Sequence, residues 1–223
     1  MIVSVPNEAK TRRLFQKKLK GYLTVGDPKS FTVKPKRGSK TMTLGELVSI
    51  PESDIHHVFN NEAMLAISHA IEDLAGEIRE GELISTFQKL QNFAPQKKRY
   101  LSLARDLDAV RVWGQGEPPK GCARIDFVPT FHPDVNRYWM VLFASDEASA
   151  VLVCKQANKA TEFSKKLFVG FYSFNPFLVQ SIRRRFNLMS CGLDRVIDHW
   201  EKESHFPGMS LSDLNRYFAP NGS

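Results

Sequence analysis

The tightest restriction on the fold comes from the middle of the chain, where two short apolar runs bracket a stretch of helical periodicity. Leu83-Ile84-Ser85-Thr86-Phe87 is rich in β-branched residues and bounded by Gly81 and Gln88-Lys89, and Val110-Arg111-Val112-Trp113 alternates and stops at Gly114. Both patterns predict strands. Between them Tyr100, Leu101, Leu103, Ala104 and Leu107 recur on one face while Gln96 to Arg99 face outward, which predicts a helix from Pro95 to about Leu107. A strand, a helix and a strand in so short a span imply a parallel pair joined by a right-handed crossover.

Four further strand-like runs lie beyond Gly116: Arg124 to Val128, Tyr138 to Phe143, Ala150 to Cys154 and Leu167 to Tyr172. The connection Ala144 to Ser149 has hairpin length. On the N-terminal side, Asn60 or Asn61 caps a helix through about Arg79, with Met64, Ile67, Ser68, Ile71, Leu74 and Ile78 at helical spacing. Thr43 is placed to cap a shorter helix carrying Leu44, Leu47 and Val48, with Glu46 at the reciprocal position and a turn at Pro51. On the C-terminal side, Asn175-Pro176 opens a helix to about Leu188, with Phe177, Val179, Ile182 and Phe186 as its face and Arg183, Arg184 and Arg185 in its last turn. The expected architecture is α+β: a mixed sheet of about five or six strands with one parallel βαβ unit, flanked by helices. An apolar fraction of 42% with 16 Phe is ample for such a core.

Charge divides the chain differently. The formal net charge is +7, yet residues 1–40 hold eleven Lys or Arg against Glu8 and Asp27, so the rest is close to neutral. Within this stretch Glu8 to Lys20 favours helix, with Phe15, Leu19 and Tyr22 on one side, and Gly26-Asp27-Pro28, Pro35 and Gly38 break up the residues between that helix and Lys40. The expected division is a basic N-terminal arm at 1–40, a domain at 41–190 and a C-terminal helical extension at 191–223. The arm's Lys10, Arg12, Arg13, Lys17, Lys18, Lys20, Lys34, Lys36 and Arg37 would attract an acidic protein face or nucleic-acid phosphates. Phe15, Tyr22 and Phe31 are its aromatic residues, too few for a base-stacking platform.

Several chemistries find no support. Cys122, Cys154 and Cys191 are odd in number and lack CxxC spacing, which fits a reducing, cytoplasmic setting better than a disulfide framework or a zinc site. The apolar run Trp139 to Ala144 is too short to span a membrane. There is no Gly-x-Ser-x-Gly elbow and no Gly-Lys-Ser/Thr phosphate loop, and Gly114-Gln115-Gly116 lacks a third glycine and a helix start. His132-Pro133-Asp134, flanked by strand-like segments, reads as a turn. No catalytic constellation, metal site or identifiable cofactor emerges.

The order of motifs resembles the DICT family, the domain associated with diguanylate cyclases and two-component systems, and in particular its cyanobacterial type. The resemblance rests on Ala66 to Asp73, Ser85-Thr86-Phe87-Gln88, Arg99 to Ala104, Val110 to Gly114, Trp139 to Leu142, Val151 to Cys154 and Gly170 to Phe174. The chain departs from the family pattern with Lys155-Gln156 where relatives have Arg-Glu, and with Asn175 where they have Asp. The resemblance implies a sensory or regulatory role, light-linked in some settings, exercised through a signalling or regulatory protein partner, and it implies no reaction.

Candidate ligand or partner residues come from the residues themselves. His69, Glu72 and Asp73 lie on the long helix, and His69 and Asp73 are an i,i+4 pair able to share a hydrogen bond or hold a cation, or simply a polar pair on a helix surface, since one His and two carboxylates fall short of a metal-site signature. Thr86 and Gln88 end a strand beside the crossover, where mixed sheets offer a crevice. Trp113, Trp139, Tyr172 and Phe174 either fill the core or line a cavity. Cys154 reads as a small buried hydrophobe or, in a light-linked family, as an attachment point for a chromophore. The resulting expectation is a non-enzymatic sensory binding module with a basic docking arm. The alternative is a nucleic-acid-binding regulator that uses the arm together with Arg183 to Arg185.

Overall fold

The computed structural model describes residues 5–23, 32–35, 42–43, 57–130 and 138–190. Seven strands from His57 onward form one mixed sheet, extended at one edge by two short strands from the N-terminal region. In chain order they are β1 (Thr32–Pro35), β2 (Met42–Thr43), β3 (His57–Asn60), β4 (Glu82–Lys89), β5 (Ala109–Gln115), β6 (Asp126–Pro129), β7 (Tyr138–Ala144), β8 (Ser149–Gln156) and β9 (Leu167–Ser173). Their spatial order is β2-β1-β3-β9-β8-β7-β4-β5-β6. Among the described residues four helices flank the sheet: α1 (Glu8–Leu23), α2 (Asn61–Ile78), α3 (Lys97–Asp106) and α4 (Pro176–Ser190).

All six expected strands are present, but the sheet is larger than five or six. β3 escapes a pattern search because four residues that run directly into a helix cap show no alternation, and β1 is equally short and β2 shorter still. The β4–α3–β5 crossover is parallel as expected, with Leu83 opposite Val110 and Thr86 opposite Trp113. A second parallel pair, β5 with β6, goes beyond the expected single unit, because no helix lies in the connection between them. β7, β8 and β9 run antiparallel to their neighbours, with the 144–149 connection closed by Ser145 and Ala148. β4 is therefore where the parallel and antiparallel halves meet.

Alternation along the strands divides the interior in two. Val141, Phe143, Leu152 and Tyr172 face α1, α2 and α3, while Met140, Leu142, Val151 and Val153 face α4. The double covering explains why β7 and β8 read as unbroken apolar runs. Where two backbones approach most closely the sequence has glycine: a Cβ on Gly170 would lie 2.0 Å from the Val153 carbonyl oxygen.

Each helix is positioned by local chemistry. The Asn60 side chain accepts from the Ala63 N–H and starts α2, whose buried stripe includes Met64, Ile67, Ile71 and Leu74. A 3₁₀ segment, Leu90–Gln96, precedes α3, so the α-helix begins at Lys97 rather than Pro95. Asn175 caps α4 by accepting from the backbone of Phe177 and Leu178, a task an aspartate performs equally well. Leu178, Val179, Ile182 and Phe186 form the buried face of α4, whereas Phe177, expected on that face, is 67% exposed. Because α4 continues to Ser190, Arg183 to Arg185 lie before its last turn rather than in it, and Arg183 bonds the buried Glu82 carboxylate at 2.5 Å. α1 lies within the stretch of high positive charge, yet Thr11, Phe15 and Leu19 are buried, and Phe15 stacks on Tyr172 and packs at a tilt against Phe174.

The short helix expected after Thr43, the His132-Pro133-Asp134 turn and the C-terminal extension lie outside the described residues.

Candidate functional site: a cavity at the carboxyl end of β4

β4 and β7 pair from Glu82–Ala144 to Ser85–Val141 and then part. Beyond that point the Thr86 hydroxyl takes over from the ladder, donating to the Tyr138 carbonyl at 2.7 Å and accepting from the Met140 N–H at 2.9 Å. On its other side β4 is irregular between Thr86 and Lys89. Gly114 of β5 lets the chains stay close there, since a Cβ would fall 2.2 Å from the Phe87 oxygen. The parting strands, the 3₁₀ segment, α2 and the start of β9 enclose a cavity of about 560 Å³, within the range of small-molecule sites.

Its walls combine flat apolar surface with amides. Phe87, Trp139 and Phe168 line it, the last two in edge-to-face contact at 5.4 Å. Trp139 is fixed by its indole N–H, which donates to Ser68 Oγ at 3.0 Å. Asn61, Gln88, Gln91, Asn92 and Gln96 supply five carboxamides. Asn61 is 2% exposed, and neither its Oδ1 nor its Nδ2 has a hydrogen-bond partner. A buried amide left without partners costs roughly 1–3 kcal/mol for each unsatisfied group.

The floor is charged but internally compensated. Glu72, 3% exposed, accepts from the Tyr100 hydroxyl at 2.9 Å and from Arg99 Nε, and Tyr100 lies 2.7 Å from Ser85 Oγ. Arg99 Nη2 also reaches Asp73 at 2.5 Å, the His69 carbonyl at 2.8 Å and the Tyr22 hydroxyl at 3.2 Å. Tyr22 in turn donates to Asp73 at 2.6 Å, which ties α1 to the network. Burial lifts the Glu72 carboxyl to about 7 despite Arg99 beside it, and burial together with the Asp73 hydrogen bond pushes the Tyr22 hydroxyl up to about 12. Burial and the Arg99 charge pull the His69 imidazole down, and His69 Nε2 sits 3.3 Å from Gln96 Oε1.

Of the sequence candidates, His69, Thr86, Gln88 and Trp139 line this cavity, and Asp73 joins it through Arg99. Trp113 is on the opposite face of the sheet, edge-on to Phe186 of α4, and Tyr172 and Phe174 pack under α1. Cys154 is fully buried in the main core, and burial pushes its thiol well above the ordinary range, away from the reactive thiolate. Arg99, Tyr100 and Asn61 are site residues that the sequence reading does not single out, whereas Glu72, noted there beside His69 and Asp73, proves to be the buried acid of the floor.

The basic residues of the N-terminal stretch are partly spoken for. Lys10 pairs with Glu147 at 3.0 Å, Arg12 with Glu8 at 3.2 Å and Lys18 with Glu77, while Arg13, Lys17 and Lys20 face solvent. Lys34 belongs to β1, and Lys36 and Arg37 lie outside the described residues. Among the described residues no helix is long and apolar enough to cross a membrane, and no three His, Cys, Asp or Glu side chains are grouped to hold a metal.

Comparison with known proteins adds one match: the family model of DICT, the sensory domain in diguanylate cyclases and two-component systems, covers residues 43–157, which include the cavity's α2, β4, 3₁₀ and β7 walls. No curated protein and no solved structure matches. A match over half of the chain, on the segment that builds most of this cavity, makes the protein a member of the DICT family of sensory domains.

Proposed function

We propose that this chain is a non-catalytic sensory module whose signal is a flat, uncharged small molecule held in the cavity at the end of β4. The observation that carries the reading is Asn61: a buried carboxamide lining a cavity, with both donor and acceptor unused. A ligand edge offering one acceptor beside one donor, as in a lactam, complements such a group. The apolar rings of Phe87, Trp139 and Phe168 suit a planar body. Glu72 is already committed to Arg99 and Tyr100, and among the described residues Lys166 is the one Lys or Arg lining the cavity, so a strongly charged ligand would find little compensation. Occupancy reaches α1 through Glu72, Arg99, Asp73 and Tyr22, a continuous set of hydrogen bonds from the cavity floor to the helix that carries the N-terminal charge.

The test is thermal melting of the purified chain with guanine, xanthine and pterin as probes, beside Leu65→Trp, which fills the cavity from α2. A ligand at a hundredfold excess over Kd should raise Tm by about 5 °C or more. The shift should vanish in Leu65→Trp. No shift with any probe, or a shift that persists in the filled variant, overturns the reading.

A further inference from the structure

The near-neutral total of residues 41–223 conceals a second concentration of positive charge. Residues 89–124 contain eight Lys or Arg against Asp106, Asp108 and Glu117. Folding gathers Lys97, Lys98 and Arg105 of α3 with Arg124 of the β5–β6 connection around a shallow depression of about 760 Å³. Its floor is apolar, from Pro95, Leu101 and Ala123. Lys97 Nζ donates to the Lys120 carbonyl at 2.7 Å, which holds the connection against the helix, and Arg105 reaches Ser102 Oγ at 3.2 Å. None of the four cations has an acidic partner among the described residues, unlike Lys10, Arg12 and Lys18 of α1. Cations placed together without acids repel one another, and an anion in the depression relieves that repulsion.

We propose that this depression docks an acidic segment of a partner protein, with carboxylates about 10 Å apart and an apolar residue between them. Lys98, Leu101, Ser102 and Arg105 form one stripe on α3, and seven residues of helix rise about 10.5 Å. Three residues of polyproline II chain cover nearly the same distance, about 9 Å, and return side chains i and i+3 to one face. One carboxylate then meets Lys98, the next meets Arg105, and the intervening side chain rests on Leu101 and Pro95. A nucleic acid is a poorer fit, because none of the lining residues is aromatic and the bases would have no surface to stack on. The assignment does not depend on a ligand in the cavity, although Pro95 belongs to the walls of both sites.

Fluorescence anisotropy of the full chain with a labelled peptide of four Glu-Leu-Ser repeats tests the proposal, with a twelve-nucleotide oligo-dT as the competing class. The peptide should bind, lose affinity as salt is raised, and weaken about tenfold or more in Lys98→Glu/Arg105→Glu. Arg124→Glu, on a different segment, should weaken it in the same direction and decides the matter if the double variant misfolds. Lys17→Glu/Lys20→Glu on α1 should leave binding unchanged. Tighter binding of oligo-dT than of the peptide, an equal loss in the α1 variant, or no binding by the unaltered chain overturns it.

Discussion

Truncating Phe15 distinguishes a helix that belongs to the fold from an appendage that carries charge. Phe15 is 1% exposed and its ring centroid lies 4.8 Å from that of Phe174 and 5.7 Å from that of Tyr172, while Leu19, one turn on, is fully buried. Removing a buried phenyl ring costs about 3–5 kcal/mol, and a buried leucine side chain about 2–5 kcal/mol. The ion pairs of α1 matter far less. Lys10 and Glu147 are each about half exposed, and such pairs contribute roughly 0–1 kcal/mol. Undocking α1 therefore costs on the order of 5–10 kcal/mol, comparable with the entire stability of a typical domain, about 5–15 kcal/mol. Urea unfolding followed by the fluorescence of Trp113 and Trp139 gives the measurement. Phe15→Ala should shift the midpoint by the equivalent of at least about 3 kcal/mol with an unchanged slope, and Lys10→Ala by less than about 1 kcal/mol. If Phe15→Ala were as stable as the unaltered chain, α1 would not be docked in solution, and the path from the cavity floor through Tyr22 would be lost with it.

Two further perturbations probe the cavity walls. Thr86→Val is nearly isosteric but strands the Tyr138 carbonyl and the Met140 N–H, so it should destabilise by about 1–3 kcal/mol while Thr86→Ser stays near the parent; equal stability of the two variants by chemical denaturation would refute the bridging role. Glu72, lifted from 4.5 to about 7 by burial, binds its proton more tightly in the folded state, so its contribution to stability is present below about pH 4.5 and is lost as pH rises through 7. The unaltered chain should lose up to roughly 3 kcal/mol relative to Glu72→Gln between pH 5 and 8, and parallel stability profiles would refute it.

Where the sequence announces its structure, it does so through elements long enough to complete a period. α2 shows its buried stripe over eighteen residues and begins on an asparagine whose side chain does cap it. β7 and β8 are recognisable because both faces are covered, which leaves the unbroken apolar runs Tyr138 to Ala144 and Ala150 to Cys154. β3 fails on length alone, and the parallel pairing of β6 with β5 fails because residues 116–125 cross over without the helix that normally marks such a connection. Phe177 illustrates a subtler limit. The Asn175 cap sets the phase of α4 so that Leu178 faces the sheet, and a shift of one position near a helix start moves a side chain by about 100°. Charge counting along the chain is equally blind to α1, whose cations are conspicuous while Thr11, Phe15 and Leu19, four residues apart, form a narrow stripe that docks it.

The cavity is half legible for a related reason. His69 and Asp73 stand out in the sequence because they are polar and one turn apart, and Thr86 and Gln88 because they end a strand. Glu72 carries the stronger signal, and it is a signal of conflict. Ser68 and Glu72 fall on the stripe that also holds Ile71 and Ala75, so an acid is assigned to the interior of a helix. A buried carboxylate requires either a proton or a partner. Arg99 and Tyr100, twenty-seven and twenty-eight residues further on, meet that requirement from α3. Their place beside Glu72 is set by the crossover, the element that the strand and helix periodicities define most sharply. An acid on a buried stripe, followed by a crossover helix that opens with Lys97-Lys98-Arg99-Tyr100, thus locates the cavity floor before any pocket is seen. Asn61 offers no such conflict, since an amide at the start of a helix looks like a cap, and only its lack of partners in the folded protein separates it from Asn60.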